Sequence, residues 1–261
     1  MSRQKDTALI TGASAGIGLA YAELLAARNH DLVLVARRED RLQALASKLE
    51  AAHGIRATVL SFDLADPSSP PRLFRALEEA SIDVDMLINN AGFGTVGTVD
   101  GSSLKSDLDM IQVNVVSLVQ LTHLLLPGMR MRGKGHILNI GSIAGFQPGP
   151  FMATYCATKA FVNHWTEALS FELKGTGVTA TVSCPGATRS EFAALAGNDT
   201  SLLFRLGSMS SRAVADQGLR ATLSGRPRVV HGLSNRFAVG VQRLVPRAAV
   251  VWAASLMNQA P

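Results

Sequence analysis

Thr7-Ala8-Leu9-Ile10-Thr11-Gly12-Ala13-Ser14-Ala15-Gly16-Ile17-Gly18 reads as a short apolar strand running into a glycine-rich turn, with a helical pattern, Gly16–Arg28, behind it. Such a turn brings backbone N–H groups close to a phosphate and sets them at the positive end of a helix dipole. Glycines permit the tight turn and leave room for a pyrophosphate. The spacing is not the G-x-G-x-x-G form, so that fingerprint is not claimed. Alone, the stretch leaves open a strand–helix turn that holds no ligand.

The next strand narrows the choice. Leu32–Val35 ends in Ala36-Arg37-Arg38. In a dinucleotide-binding sheet a carboxylate here would accept from the adenosine ribose, whereas a basic group would pair with a 2′-phosphate. No carboxylate stands here, and a guanidinium suits phosphate as a two-pronged donor. Arg37 and Arg38 therefore favour NADP(H) over NAD(H), the alternative being solvated residues at a helix start. Glu39 and Asp40 then open the next helix, where acids belong.

Further along, short runs rich in β-branched residues alternate with helical patterns. The runs are Ala8–Ile10, Leu32–Val35, Thr58–Ser61, Met86–Ile88, His136–Ile140, Thr179–Ser183 and Arg228–Val230. Little polar alternation marks them, so both faces are expected to be buried, as in parallel sheets. Helices are expected at Glu39–His53, Pro70–Ala80, Ser103–Arg132, Ala153–Lys174 and Ser210–Ser224. The pattern predicts an α/β fold: a Rossmann-type doubly wound parallel sheet of about seven strands, one domain, with helices on both faces. Residues 1–233 form the catalytic, dinucleotide-binding domain in this reading, and 234–261 a basic amphipathic C-terminal extension. Thr188–Met209 fits the alternation poorly and is read either as a substrate-covering loop or as two short helices.

Thr11-Gly12-x-x-x-Gly16-x-Gly18, Asn89-Asn90-Ala91-Gly92, Asn114, Ser142, Tyr155-x-x-x-Lys159 and Pro185-Gly186 follow in this order. With these motifs the chain resembles the short-chain dehydrogenase/reductase family, from about Thr7 to Ser190 and more weakly to about Ser234. The chemistry can be argued from residue types. Tyr155 and Lys159 lie four apart in a helical pattern and share a face. An unperturbed tyrosine, with a pKa near 10, exchanges protons poorly at neutral pH. A nearby ammonium would lower that value and make Tyr155 a general acid in ketone reduction and a base in alcohol oxidation. Ser142, just past a strand, can hold the substrate carbonyl and the charge growing on its oxygen. Asn114 lies mid-helix, where an amide is a poor helix former. By the resemblance, it supports a bound water that continues a proton relay from Lys159.

The resemblance also implies the cofactor contacts. They are the loop residues Gly12, Ser14, Gly16, Ile17 and Gly18, the phosphate readers Arg37 and Arg38, and Asp63 and Leu64 beside the adenine. Asn90, Ala91 and Gly92 lie on the adenosine side, Tyr155 and Lys159 at the nicotinamide ribose, and Pro185, Gly186 and Thr188 near the carboxamide. The expected activity is NADP(H)-dependent interconversion of a carbonyl and an alcohol, on a lipophilic ketone, aldehyde or acyl substrate. The alternatives are a 3-oxoacyl thioester reductase and a non-catalytic dinucleotide-sensing regulator, whose mark would be a lost tyrosine or lysine. By the same resemblance the chain is expected to form a homodimer or homotetramer.

Composition bounds the rest. The chain has 261 residues, 47% hydrophobic and 17% charged, which excludes intrinsic disorder. Mean hydropathy is +0.20, yet the longest apolar stretch, Ala248–Met257, is about half of what a membrane span requires. Two cysteines, Cys156 and Cys184, and six scattered histidines give neither a disulfide framework nor metal-ligand spacing, so no metal is expected. No leader pattern opens the chain, and a cytoplasmic location is the expectation.

The net charge of +5 is uneven. Residues 188–261 hold nine arginines, no lysine and three acids, a net +6, leaving −1 for the rest. A nucleic-acid protein would usually carry a basic face on its main fold, whereas here the body is near neutral, so no nucleic acid is expected as a partner. In the tail, Ser234 is expected to cap a helix from Asn235, with Arg236, Arg243 and Arg247 on one face. Pro246 would kink it or start a new one. Three roles stay open: a subunit or pocket-covering contact, attachment to an anionic membrane surface, and docking of an acyl carrier protein.

Overall fold

A computed structural model describes residues 5–189, 208–242 and 244–258. Strands β1 (Thr7–Thr11), β2 (Asp31–Ala36), β3 (Ala57–Ser61), β4 (Met86–Asn89), β5 (Gly135–Ile140) and β6 (Val178–Cys184) build the sheet. Two-residue strands β7 (Thr188–Arg189) and β8 (Met209–Ser210) pair with each other, and β9 (Arg228–Val230) completes the main sheet. Its seven strands run in the order β3-β2-β1-β4-β5-β6-β9, all parallel. All seven coincide with the runs picked out by their apolar pattern.

The strands are apolar on both faces because both are covered. Ala8 and Ile10 of β1 pack with α1 (Gly16–Ala26) and α2 (Glu39–His53). Leu9, between them, points to the opposite side, where α3 (Ser69–Glu79), α5 (Ser117–Met131) and α6 (Ala153–Glu172) contribute Leu73, Leu121 and Leu169. Each fully buried leucine contributes about 2 kcal/mol. Chain order reverses between β1 and β4, and ligands of such sheets bind outside the carboxyl ends of the strands at this switch point.

The helix expected over Ser103–Arg132 comprises α4 (Leu104–Ile111), a π-helical turn at Gln112–Val116 and α5. Ser103 caps its start by accepting from the Ser106 N–H. By length and composition this helix could cross a membrane. Its Leu118, Leu121, Leu125 and Met129 are instead buried within the fold. After β8 come α7 (Ser211–Leu223), α8 (Leu233–Val241) and α9 (Arg247–Asn258).

Two expectations about the tail are corrected. Ser234 caps nothing, because α8 starts at Leu233 behind Gly232, whose φ of +84° suits glycine. At Pro246 the second of the two expected courses is taken, a new helix: α8 ends before Gln242 and α9 follows Pro246, so the shared face expected for Arg236 and Arg247 is lost, the two lying on different helices. Arg243 lies outside the described residues. Of Thr188–Met209, the two ends form the β7–β8 pair and 190–207 lie outside the described residues.

Candidate active site

The glycine turn is locked onto the end of β4 by Thr11. Its hydroxyl accepts from the N–H groups of Asn90 and Ala91, both at 2.9 Å, and donates to the Ile88 carbonyl at 3.3 Å. Asn90 Nδ2 returns the contact to the carbonyls of Thr11 (2.9 Å) and Gly12 (3.3 Å). Gly12 sits at φ +66°, and a Cβ there would come within 2.8 Å of Asn90 Nδ2. A Cβ at Gly18 would run into the Gly12 carbonyl oxygen. Gly16, Ile17 and Gly18 open α1, which has neither a capping side chain nor an acid in its first turn. The helix dipole is thus left for an external anion, and the glycines of the turn give it room.

Next to this cradle Arg38 Nη2 donates to Ser14 Oγ at 3.2 Å, holding the guanidinium across the loop. Arg37 is exposed at the end of β2, and Ser61 Oγ donates to its carbonyl at 3.4 Å. Asp63, exposed after β3, accepts from the Ala65 N–H at 3.0 Å. Buried Leu64 is fixed through its carbonyl, which accepts from Ser117 Oγ at 2.8 Å.

The four residues read as catalytic converge on the same sheet edge. Ser142 follows β5 and caps the 3-10 turn Ile143–Phe146, its Oγ accepting from the Ala144 N–H at 3.1 Å. Tyr155 and Lys159 project from the first turns of α6. Ser142 hydrogen-bonds the Tyr155 hydroxyl. Buried Lys159 donates through Nζ to the Ile140 carbonyl at 2.8 Å, and that ammonium stands 5.9 Å from the Tyr155 ring centre. Asn114 sits in the π turn, a distortion common at functional sites. Its Oδ1 accepts from the Phe93 N–H at 3.1 Å, while its Nδ2 donates to the Phe93 carbonyl (3.0 Å) and Thr158 Oγ1 (3.1 Å). The loop after β4 is thereby pinned to α6. Glycines permit the closeness: a Cβ at Gly92 would lie 2.9 Å from Asn114 Oδ1, and one at Gly94 would lie 2.8 Å from the Tyr155 ring.

Pro185 and Gly186 adjoin Ser142, whose Oγ donates to the Pro185 carbonyl at 3.5 Å. Buried Thr188 donates to the Gly186 carbonyl at 3.0 Å. A Cβ at Gly186 would come within 2.5 Å of Asn235 Nδ2, so α8 closes directly over this segment.

The proton affinities differ from the simple expectation. Burial pushes the Tyr155 hydroxyl up to about 12, with the Ser142 hydrogen bond pulling the other way. Burial pushes Lys159 down to about 8. Desolvation thus dominates at both groups. At neutral pH the pair stands as a neutral phenol beside an ammonium, a proton donor already in its donating form.

Asn163 lies outside the motifs, and Thr11, though part of one, has no role assigned by it. Thr11 was legible only as part of the turn, although its hydroxyl joins the turn to β4. Asn163, one helical turn beyond Lys159, hydrogen-bonds the backbone of Ser142. Four-residue spacing from Lys159 was its only signal. Among the described residues no cluster of three or more His, Cys, Asp or Glu could hold a metal.

Residues 6–200 match the short chain dehydrogenase family. The chain is 38% identical to a ketoacyl reductase, HetN, of Nostoc sp. over 180 residues, which are 69% of this chain and 62% of that protein. It is also 38% identical to a very-long-chain 3-oxoacyl-CoA reductase of Neurospora crassa over 178 residues, 66% of this chain and 52% of that one. These matches span only half to three-fifths of the curated relatives' length. Among solved structures, a short-chain dehydrogenase from Sphingobium yanoikuyae in complex with NADPH superposes with a TM-score of 0.82 at 35% identity, covering 92% of this chain and 94% of that one.

Proposed function

Since the chain belongs to the short-chain dehydrogenase/reductase family, we propose that it is an NADP(H)-dependent carbonyl reductase working with Tyr155 as general acid. The observation that carries this reading is the meeting of Ser142, Tyr155 and Lys159 at the sheet edge that also bears the glycine cradle. The residues present fit the cofactor. Gly12, Gly16 and Gly18 would receive its pyrophosphate, and Arg38, tied to Ser14, with Arg37 its 2′-phosphate. Asp63 and Leu64 would border the adenine, Asn90, Ala91 and Gly92 the adenosine side, and Pro185, Gly186 and Thr188 the carboxamide. The bound cofactor would supply the hydride.

The chain's own work is positioning and proton supply. Ser142, held at its turn, donates to the substrate carbonyl oxygen and steadies the negative charge that grows there. Tyr155 delivers its phenolic proton to that oxygen as the bond order falls. Lys159 then offsets the charge left on the phenolate. Asn114 supports the water that returns a proton toward Lys159. In alcohol oxidation the same groups act in reverse, with Tyr155 as base.

The relatives' names favour a 3-oxoacyl thioester or a comparably lipophilic ketone as substrate. Leu104 and Leu108, exposed on α4, together with Phe161 on α6, offer a face for pairing into a homodimer or homotetramer. Cys156 and Cys184 are unpaired and buried, which fits a reducing cytoplasmic setting. The test is a panel of ketones, aldehydes and 3-oxoacyl thioesters assayed for NADPH oxidation. Turnover of lipophilic members is expected. Silence across the panel, with NADPH bound, would instead support a dinucleotide-sensing protein.

A further inference from the structure

We propose that α8 and α9 form a docking surface for an anionic lipid bilayer, which sets the mouth of the active site against the membrane. Large apolar side chains are left uncovered here: Leu233 is 81% exposed, Phe237 74%, Leu244 86% and Trp252 66%. Leu233, Arg236 and Phe237 share one face of α8, being three and four residues apart. On α9 Ala248, Trp252 and Leu256 recur every four residues and are all exposed. Such a concentration of apolar surface marks a contact site.

Charge selects the occupant. Beyond Asp216, residues 217–261 carry six arginines and no lysine, aspartate or glutamate. Arg226, Arg236 and Arg247 are exposed and pair with no carboxylate among the described residues. A second copy of the chain would bring equal positive charge to the same face. An anionic bilayer brings the opposite charge together with an apolar interior, and tryptophan and arginine suit its interface.

Position gives the docking a purpose. Asn235 of α8 lies against Gly186, Gln242 Nε2 donates to Gln147 Oε1 at 2.6 Å, and Asn258 of α9 donates to the Pro150 carbonyl at 3.0 Å. The two helices therefore border the loops that follow β5 and β6, beside Ser142. A lipophilic substrate could pass from bilayer to site without crossing water. That benefit rests on the function proposed above, whereas docking does not.

The test is sedimentation of the full chain with vesicles of phosphatidylglycerol and phosphatidylcholine, or of phosphatidylcholine alone. Binding to the anionic vesicles should exceed binding to the neutral ones by at least about tenfold and fall as salt screens the arginines. Phe237→Ser with Trp252→Ser, and separately Arg236→Glu with Arg247→Glu, should each remove most of it. In a Trp165→Phe background, Trp252 emission should shift to the blue on binding. Melting curves of the variants report whether they fold. Equal binding to neutral vesicles, or no binding, overturns the proposal. So does loss in the arginine variants alone, which would mark charge attraction without seating of the apolar face. Self-association abolished by the apolar substitutions without vesicle binding would assign the face to a second copy. Vesicle binding without NADPH oxidation on any carbonyl would leave the docking standing and overturn the enzymatic reading.

Discussion

Asn163 grips Ser142 by both sides of its backbone: Nδ2 donates to the Ser142 carbonyl at 3.0 Å, and Oδ1 accepts from the Ser142 N–H at 3.4 Å. Both residues are buried. The preceding residue must be glycine for this grip to exist, since a Cβ at Gly141 would collide with Asn163 Oδ1. α6 thus carries Tyr155 and Lys159 and, one turn on, the amide that places Ser142 relative to them.

Asn163→Ala should lower kcat about 10- to 100-fold, because in the proposed mechanism small misplacements of the Ser142 hydroxyl are costly. KM should change far less. Stability should fall by about 1–3 kcal/mol, since the Ser142 carbonyl loses its donor in a buried place. Gly141→Ala should be strongly destabilising in the parent and less so beside Asn163→Ala, the mark of coupled neighbours. Steady-state kinetics and denaturant midpoints of the four proteins measure both effects. Additive costs would show that Gly141 and Asn163 act independently.

Tyr155→Phe removes the phenolic proton and little else. Carbonyl reduction should fall by about two to four orders of magnitude, the usual yield of a general acid. NADPH binding, followed by fluorescence, should stay within about threefold, because the cradle and Arg38 are untouched. Turnover near the parent's would remove Tyr155 from the proposed mechanism.

The pH dependence of reduction follows from the two buried groups. Tyr155, at about 12, keeps its proton throughout the ordinary range. Lys159, at about 8, loses its charge as pH rises through that value. Reductive kcat/KM should therefore be flat at neutral pH and fall above about 8. A profile rising through that region would contradict the assigned roles.

Arg38 and Arg37 should set the preference between the two nicotinamide dinucleotides. Arg38→Ala should weaken NADPH binding by about 10- to 100-fold, the worth of charge-assisted bonds to phosphate, and leave NADH binding nearly unchanged. Exposed Arg37 should contribute less, because solvent screens it. Equal losses for both dinucleotides would move the arginines off the 2′-phosphate.

The sheet was legible because its strands are covered on both faces. Runs such as Leu32–Val35 have no polar alternation and no competing helical period. The placement of the candidate site was legible because Gly12, in the turn between β1 and α1, and Tyr155 and Lys159, on α6, are fixed by local spacing. Contacts such as Asn163 to Ser142 and Thr11 to Asn90 join residues 21 and 79 positions apart, and no local pattern records them. The shared arginine face of the tail failed for another reason. The Arg236–Arg243–Arg247 spacing fits a helix, but Pro246 removes a donor and the chain turns there.

A last prediction concerns acid stability and a histidine outside the catalytic set. His231 is fully buried between β9 and α7, its Nε2 2.7 Å from Ser183 Oγ and its Nδ1 3.2 Å from Gln217 Oε1. Tyr21 of α1 meets the same cluster, its hydroxyl lying where a Cβ on Gly218 would fall. Burial pushes His231 down to about 4 from its usual 6.5. Between those values the unfolded chain binds the extra proton and the folded chain does not. Stability should therefore be complete above about pH 6.5 and decline as pH falls toward 4. The loss from this one residue should reach about 2 kcal/mol by pH 5. His231→Gln keeps a polar side chain without the titration, so its urea midpoint should change less between pH 7 and 5, while its stability at pH 7 should drop. An unchanged acid dependence in that variant would mean that other groups drive acid unfolding.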